Sequence, residues 1–342
     1  MNHTLVGVDL ASTVFEVAIS YQPGRVAKTR RLARSRFFPF LATLPRATVV
    51  MEACGSAHFW ARRLEEVGHQ VVLLPPKLVR PYVSRSKTDR ADAKALLEAH
   101  RNADILPVPT KSPFQQTLAG IHRIRSGAIR SRTAAINSVR GLLREFGIQL
   151  PQGAKKFVEC VRPLLADANE IPDALRPLLL ARCDQVEVLK AQIETAEKQL
   201  ASLTKDIVLV QQLRTIPGVG LLSSTALLAF VGDARRFRSG RHLASFLGLT
   251  PREFSSGERR RLGRISKQGD TYLRMLLVNG ARAALRAAKI RKTPDRLQSW
   301  ATSIEKTRGH NKAAAALANK MTRIAWAVWT KDSSYRSLPV AA

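Results

Sequence analysis

The chain has 342 residues, the length of two or three domains, and its 56 Lys and Arg against 26 Asp and Glu give a net charge of +30. Hydrophobic residues make up 45%, enough to build cores, so the charge is not that of a disordered tail. No window approaches the apolar length of a membrane span, the N-terminus lacks a basic-then-apolar leader pattern, and three scattered cysteines (Cys54, Cys160, Cys183) exclude a disulfide scaffold or zinc ribbon.

Residues 4–9 read as a short strand ending on an acid, 14–20 as a second strand, and Gln22-Pro23-Gly24 as a turn into a third over 25–33. A helix is expected over 35–44, a strand over 47–51, and a helix over 56–67 stopped by Gly68. A strand over 69–74 closed by Pro75-Pro76 and a helix over 88–100, capped by Ser86 or Thr88, complete a β-β-β-α-β-α-β-α order. Three meandering strands followed by alternating units imply a mixed sheet with helices on its faces.

The proline-rich stretch 105–113 reads as a linker, followed by a long helix over 114–146 and a loop-rich segment over 148–177. From Val186, the apolar positions Leu189, Ile193, Ala196, Leu200, Leu203 and Ile207 form a heptad seam. The seam fits either a hairpin against helix 114–146 or a coiled coil with a second chain. Beyond it, Ile216-Pro217-Gly218-Val219-Gly220 reads as a turn between two helices, with Gly218 and Gly220 letting backbone N–H groups face a phosphate. Residues 252–267 are expected to be a basic Ser/Gly-rich loop, and 272–329 mostly helical.

The charge is unevenly spread. Residues 206–342 hold 25 basic and 8 acidic residues, more than half of the net excess. A solubility device would be even; this concentration points to a binding face for a polyanion, nucleic acid first. Residues 111–146 carry seven basic residues, among them Arg123, Arg125, Arg130 and Arg132, against Glu145 alone.

Acids are scarce in the first 105 residues, and four sit where such an architecture would use them. Asp9 ends the first strand, Glu52 follows the fourth, and Asp89 and Asp92 share one face of the last helix at i, i+3 spacing. If the first and fourth strands are neighbours, Asp9 and Glu52 lie side by side, with the helix supplying the other two. Four converging carboxylates repel unless divalent cations occupy the site, and two Mg²⁺ ions suit phosphodiester chemistry.

These features resemble the RuvC-type, RNase H-like domain of the DEDD transposases of the insertion sequence 110 family. The matching motifs are Gly7-Val8-Asp9, Met51-Glu52-Ala53 and Lys87-Thr88-Asp89-Arg90-Ala91-Asp92-Ala93, then the Ile216–Gly220 turn, Phe246-Leu247-Gly248-Leu249-Thr250-Pro251-Arg252, Ser255-Ser256-Gly257 and Ser266-Lys267-Gln268-Gly269. The resemblance implies a catalytic domain over 1–105, a basic-helix and coiled-coil region over 106–210, and a mainly helical basic C-terminal domain over 211–342. It implies that Asp9, Glu52, Asp89 and Asp92 bind Mg²⁺ and that Ser256 is a nucleophile that joins covalently to DNA. Arg259, Arg260, Arg261, Arg264 and Lys267 follow that serine and would hold flanking phosphates.

It further implies donor and target DNA as substrates, a guiding non-coding bridge RNA, assembly as a dimer or tetramer, and a cytoplasmic, nucleoid-associated location away from membranes. Helix 114–146 is the candidate RNA contact. His58, His69 and His122 lack ligand-spaced partners and read as structural, and the four tryptophans as core. Three rival readings use the same residues: a Holliday-junction nuclease with metal-activated water, a non-catalytic nucleic-acid binder, and an actin-like kinase. The last lacks a glycine-rich phosphate loop.

Overall fold

Apolar runs in Leu5–Leu10 (β1), Val14–Ser20 (β2) and Thr48–Glu52 (β4) are buried at successive positions, as in Val49-Val50-Met51, so both faces are covered in a sheet completed by Lys28–Ala33 (β3) and Gln70–Leu74 (β5). The computed structural model describes residues 4–337 apart from Pro23, 84–88, 168–169, Lys292 and Pro294, and the side chains of Asp89 and Arg90 also lie outside it. The expected caps Ser86 and Thr88 fall in that gap. The chain divides into two units, Met1–Ser112 and Pro113–Ala342.

In the first unit the strand order is β3-β2-β1-β4-β5. The first three strands run antiparallel, and β1, β4 and β5 run parallel. Helices Arg34–Ala42 (α1) and Ala57–Glu66 (α2) cover one face, where Phe15, Phe37 and Trp60 meet edge to face with centroids 4.7–5.5 Å apart. After the short helix Pro76–Val79 (α3), helix Asp89–His100 (α4) covers the other face through Ala93, Ala95, Leu96, Leu97 and Ala99. Gly7 permits that approach: a Cβ there would collide with the Ala93 carbonyl oxygen. His69 is structural, its ring nitrogens meeting the Ala47 N–H and the Leu41 carbonyl. The mixed sheet expected from the sequence is present.

The second unit opens on the 33-residue helix Pro113–Glu145 (α5) and continues with Ala154–Asp167 (α6) and Arg176–Thr204 (α7). The loop-rich segment expected over 148–177 holds the 14-residue helix α6. Its buried Phe157, Val161 and Leu165 recur every four residues, and that stripe holds the helix together across Pro163. Of the two partners the α7 seam admits, the structure shows the intramolecular one: Leu143 of α5 clusters with Leu179, Cys183 and Val186, and Leu118 with Leu200, so the two helices run antiparallel. At the end of the seam Thr204 is buried and Leu203 is 38% exposed, because a straight helix drifts off a strict heptad.

Val208–Arg214 (α8), Leu221–Val231 (α9), Gly240–Phe246 (α10), Thr271–Ile290 (α11), Arg296–Arg308 (α12) and His310–Lys331 (α13) share one large core. The expected loop over 252–267 is a two-stranded antiparallel hairpin, Pro251–Glu253 (β6) with Leu262–Ile265 (β7). Among the described residues no helix is long and apolar enough to cross a membrane.

Candidate active-site residues

Strand register decides where the first unit's acids go. β1 pairs with β4 from Leu5↔Thr48 to Val8↔Met51, so Asp9 and Glu52 follow at the next step on adjacent strands. Side chains alternate, so Asp9 shares the face of Gly7, and Glu52 that of Val50, which packs against α4. Both carboxylates are half-buried on the α4 face, at the carboxyl ends of parallel strands. Loops and helix starts gather at such ends, which is where open α/β sheets hold ligands.

Asp92, also half-buried, precedes Ala93, whose carbonyl oxygen rests over Gly7, two residues before Asp9. The backbone of Asp89 opens α4, and its side chain lies outside the described residues. Sequence reasoning missed Glu16, which pairs with Asp9 across β1 and β2, continuing the row of acids. Glu16 is met by Arg31 at 3.5 Å, its own cross-strand partner on β3, and that neutralises it in place. Among the described residues, no three His, Cys, Asp or Glu side chains are grouped so as to hold a metal ion. Asp9 and Glu52 are hard oxygen donors side by side, the donor chemistry Mg²⁺ takes.

The second unit presents Ser255 and Ser256 near the hairpin tip, where every residue from Pro251 to Arg264 is exposed. Ser256 and Arg259 close the tip by reciprocal backbone hydrogen bonds of 3.3 and 3.2 Å around Gly257, whose φ of 55° suits glycine. The two serines differ. The Ser255 hydroxyl donates to Glu253 Oε1 at 2.7 Å and accepts from the Arg261 N–H at 3.2 Å. Arg260 adds an ion pair to Glu253 at 3.5 Å, so Ser255 belongs to a cross-hairpin network. Among the described residues the Ser256 side chain makes no such bond.

The base of the hairpin is rigid. Gly248 and Gly269 lie so close to Gln268 and Phe246 respectively that a Cβ at either would strike backbone. The buried Arg274 donates to the carbonyls of Leu247 and Gln268 at 3.2 and 2.8 Å, joining both ends of the hairpin to α11.

The turn between α8 and α9 contains Gly218 at φ +87°, interlocked with Gly280 of α11, where a Cβ on either would strike the other's carbonyl oxygen. Gly220 caps α9 without a side-chain hydrogen bond. The turn borders a cleft of about 610 Å³ that includes Arg214, Arg291, Asp295 and Tyr335. Burial and then the Asp295 carboxylate, which accepts from its hydroxyl at 3.2 Å, push the Tyr335 phenol up to about 12.

On α5, Arg123 and Arg130 are exposed and Arg132 is half-buried. Arg125, grouped with them as a candidate RNA contact, turns inward to Glu197 of α7 at 2.7 Å with its side chain only 11% exposed. His122 beside it is fully buried between Tyr272 Oη and Thr225 Oγ1, each at 3.0 Å. Burial and then the Arg125 charge lower its pKa to about 4.

A family model described as a transposase, of the DEDD type of insertion sequence IS110, matches residues 6–148. A second, described as the transposase IS116/IS110/IS902 family, matches residues 210–298. A Pseudomonas aeruginosa protein named a probable family 20 transposase is 42% identical over 98% of this chain and 99% of its own length. The transposase for insertion sequence element IS1111A of Coxiella burnetii is 39% identical over 97% of this chain and 91% of its own. That for element IS1328 of Yersinia enterocolitica is 36% identical over 98% of this chain and 99% of its own.

Proposed function

The chain belongs to the IS110 family of transposases, and from that premise we propose that it recombines an insertion element through a covalent link between Ser256 and DNA. Transposases act on DNA by cutting and rejoining it; the intermediate, the metal and the guide are our reading. The observation that carries the intermediate is the contrast at the hairpin tip. Ser255 is committed to Glu253 and Arg261, whereas Ser256 stands exposed where a DNA strand can reach its hydroxyl.

In the reaction, Ser256 Oγ attacks the phosphorus of a phosphodiester. The Oγ–P bond forms as the bond from phosphorus to one deoxyribose oxygen breaks; the serine gives up its proton, and the departing oxygen takes one up. One phosphodiester replaces another, so a free strand end can reverse the step on the seryl phosphate and rejoin the DNA without an external energy source. Arg259, Arg261, Arg264 and Lys267, all exposed on or beside the hairpin, would hold the flanking phosphates. Arg260, shared with Glu253, would do so less strongly.

Asp9 and Glu52, with Asp92 and Asp89 from α4, are the residues that would hold two Mg²⁺ ions. When bound, Mg²⁺ would supply charge neutralisation at a phosphate. The acids' own work is to fix that charge at one sheet edge within a strongly basic chain. The domain reading remains a catalytic sheet domain over 1–105, a basic-helix region over 106–210 and a transposase domain over 211–342. Arg123, Arg130 and Arg132 of α5 would contact a bridge RNA, Gly218 and Gly220 a backbone phosphate, and two or more chains would assemble on the DNA.

The test is covalent capture of a labelled DNA strand end. Ser256→Ala is expected to lose all protein-linked product, while Ser255→Ala keeps it, reduced by loosening of the hairpin. A nuclease using water would continue to cut with Ser256→Ala, and that result would retire the seryl intermediate.

A further inference from the structure

The hairpin carries an exposed aromatic ring that the chemistry above does not use. Phe254 is 61% exposed, two residues before Ser256. Its backbone N–H donates to the Arg261 carbonyl at 2.8 Å, fixing its place on the strand. Glu253 and Ser255, which bond to each other, lie on one face together with Arg260 and with Leu262, the cross-strand partner of Glu253. Alternation therefore puts Phe254 and Ser256 together on the other face. The edge of the ring lies over Gly263: a Cβ there would come within 2.8 Å of Cε2, so the glycine lets the ring approach the opposite strand. The ring is otherwise largely open to solvent, and the exposed Arg252, Arg259 and Arg261 fall on the same side of the hairpin by that alternation.

An exposed aromatic ring on the same side of a hairpin as cations that draw phosphates matches what holds single-stranded nucleic acid: stacking for the base and charge for the backbone. Two strand residues span about 6.8 Å, on the order of the distance from a phosphate to the base of its own nucleotide. Bases inside a duplex offer only their edges, so an open ring face can be used only by a base out of its pair, and cutting and exchanging strands produces such bases. We propose that Phe254 is a stacking platform for an unpaired DNA base next to the phosphodiester that Ser256 attacks. The proposal rests on the reading of Ser256 given above.

The test uses the full-length chain and fluorescence anisotropy with a labelled single-stranded oligonucleotide and a duplex of equal length. Phe254→Leu keeps apolar bulk and loses the ring face. It is expected to weaken single-strand binding roughly tenfold while duplex affinity, carried by phosphates, changes less than about twofold. Phe254→Tyr should restore the wild-type value. Leu262→Ala, an exposed apolar residue on the opposite face, should leave both affinities unchanged. The proposal is overturned if Phe254→Leu leaves single-strand affinity intact, if both affinities fall together, or if Leu262→Ala weakens binding as much. Ser256→Ala separates the two readings: if it retains covalent product, the nucleophile assignment falls while the affinity data still decide whether the hairpin stacks a base.

Discussion

Gly7 sets the spacing between β1 and α4, and through it the relation of Asp9 to Asp92. Because its missing side chain is replaced by the Ala93 carbonyl, even one methyl group must push the helix off the sheet. Gly7→Ala is therefore expected to destabilise the first unit by roughly 1–3 kcal/mol, read by chemical denaturation. It should also cut DNA cleavage more deeply than that loss of stability explains, because displacing α4 separates its acids from those on the sheet. Cleavage that tracks the folded fraction alone would show that α4 takes no part in the site. The glycine before Asp9 was visible in the sequence, but its reason was not, since nothing in Gly7-Val8-Asp9 names Ala93 as its neighbour. Glu16 escaped for the same cause: only the register of three strands places it between Asp9 and Arg31. The network that ties the Ser255 hydroxyl to Glu253 and Arg261 was likewise not visible in the sequence.

Elements with one buried face were legible and elements without one were not. The strands of the first sheet carry short apolar runs buried from both sides, and α5 and α7 carry apolar stripes, so both could be read from the sequence. The β6–β7 hairpin is exposed on both faces, leaving no hydrophobic alternation to mark it, and α6 was hidden by weighing Pro163 above the Phe157–Val161–Leu165 stripe. His122 shows what the packing of one element on another adds. It joins α5 to α9 and α11 through Thr225 and Tyr272, and its site favours the neutral ring. With a folded pKa near 4 against 6.5 unfolded, the unfolded chain binds the extra proton between those values. Stability from this group is thus fully present above pH 6.5 and lost as pH falls toward 4, by roughly 3 kcal/mol in all. Denaturant midpoints measured from pH 7 to pH 4.5 should show that decline, and His122→Gln should flatten this part of it. An equal slope in the variant would assign the acid sensitivity to other groups.

At the scale of the whole molecule, charge separates a sited binding surface from a merely basic protein. Residues 1–112 hold 17 basic and 9 acidic side chains, and 113–342 hold 39 and 17, so neither unit is without acids that temper it. Affinity from diffuse attraction would fall with salt whichever arginine were removed. Affinity from arginines seated on phosphates at the hairpin would lose about 0.9 from the slope of log affinity against log salt for each duplex phosphate left without its arginine. Arg259→Gln, Arg261→Gln and Arg264→Gln should each lower the duplex slope by about that amount, and Arg260→Gln by less, because Glu253 already shares its charge. If α5 binds the proposed guide RNA, Arg123→Gln and Arg130→Gln should leave the duplex slope unchanged and lower the slope for RNA, by about 0.7 for each single-strand phosphate no longer neutralised. Arg125→Gln should act differently again, loosening α5 from α7 by breaking the pair with Glu197 rather than altering either slope. Equal slopes across the whole series would mean that +30 acts as an undirected field, and the division of labour between hairpin and long helix would fall with it.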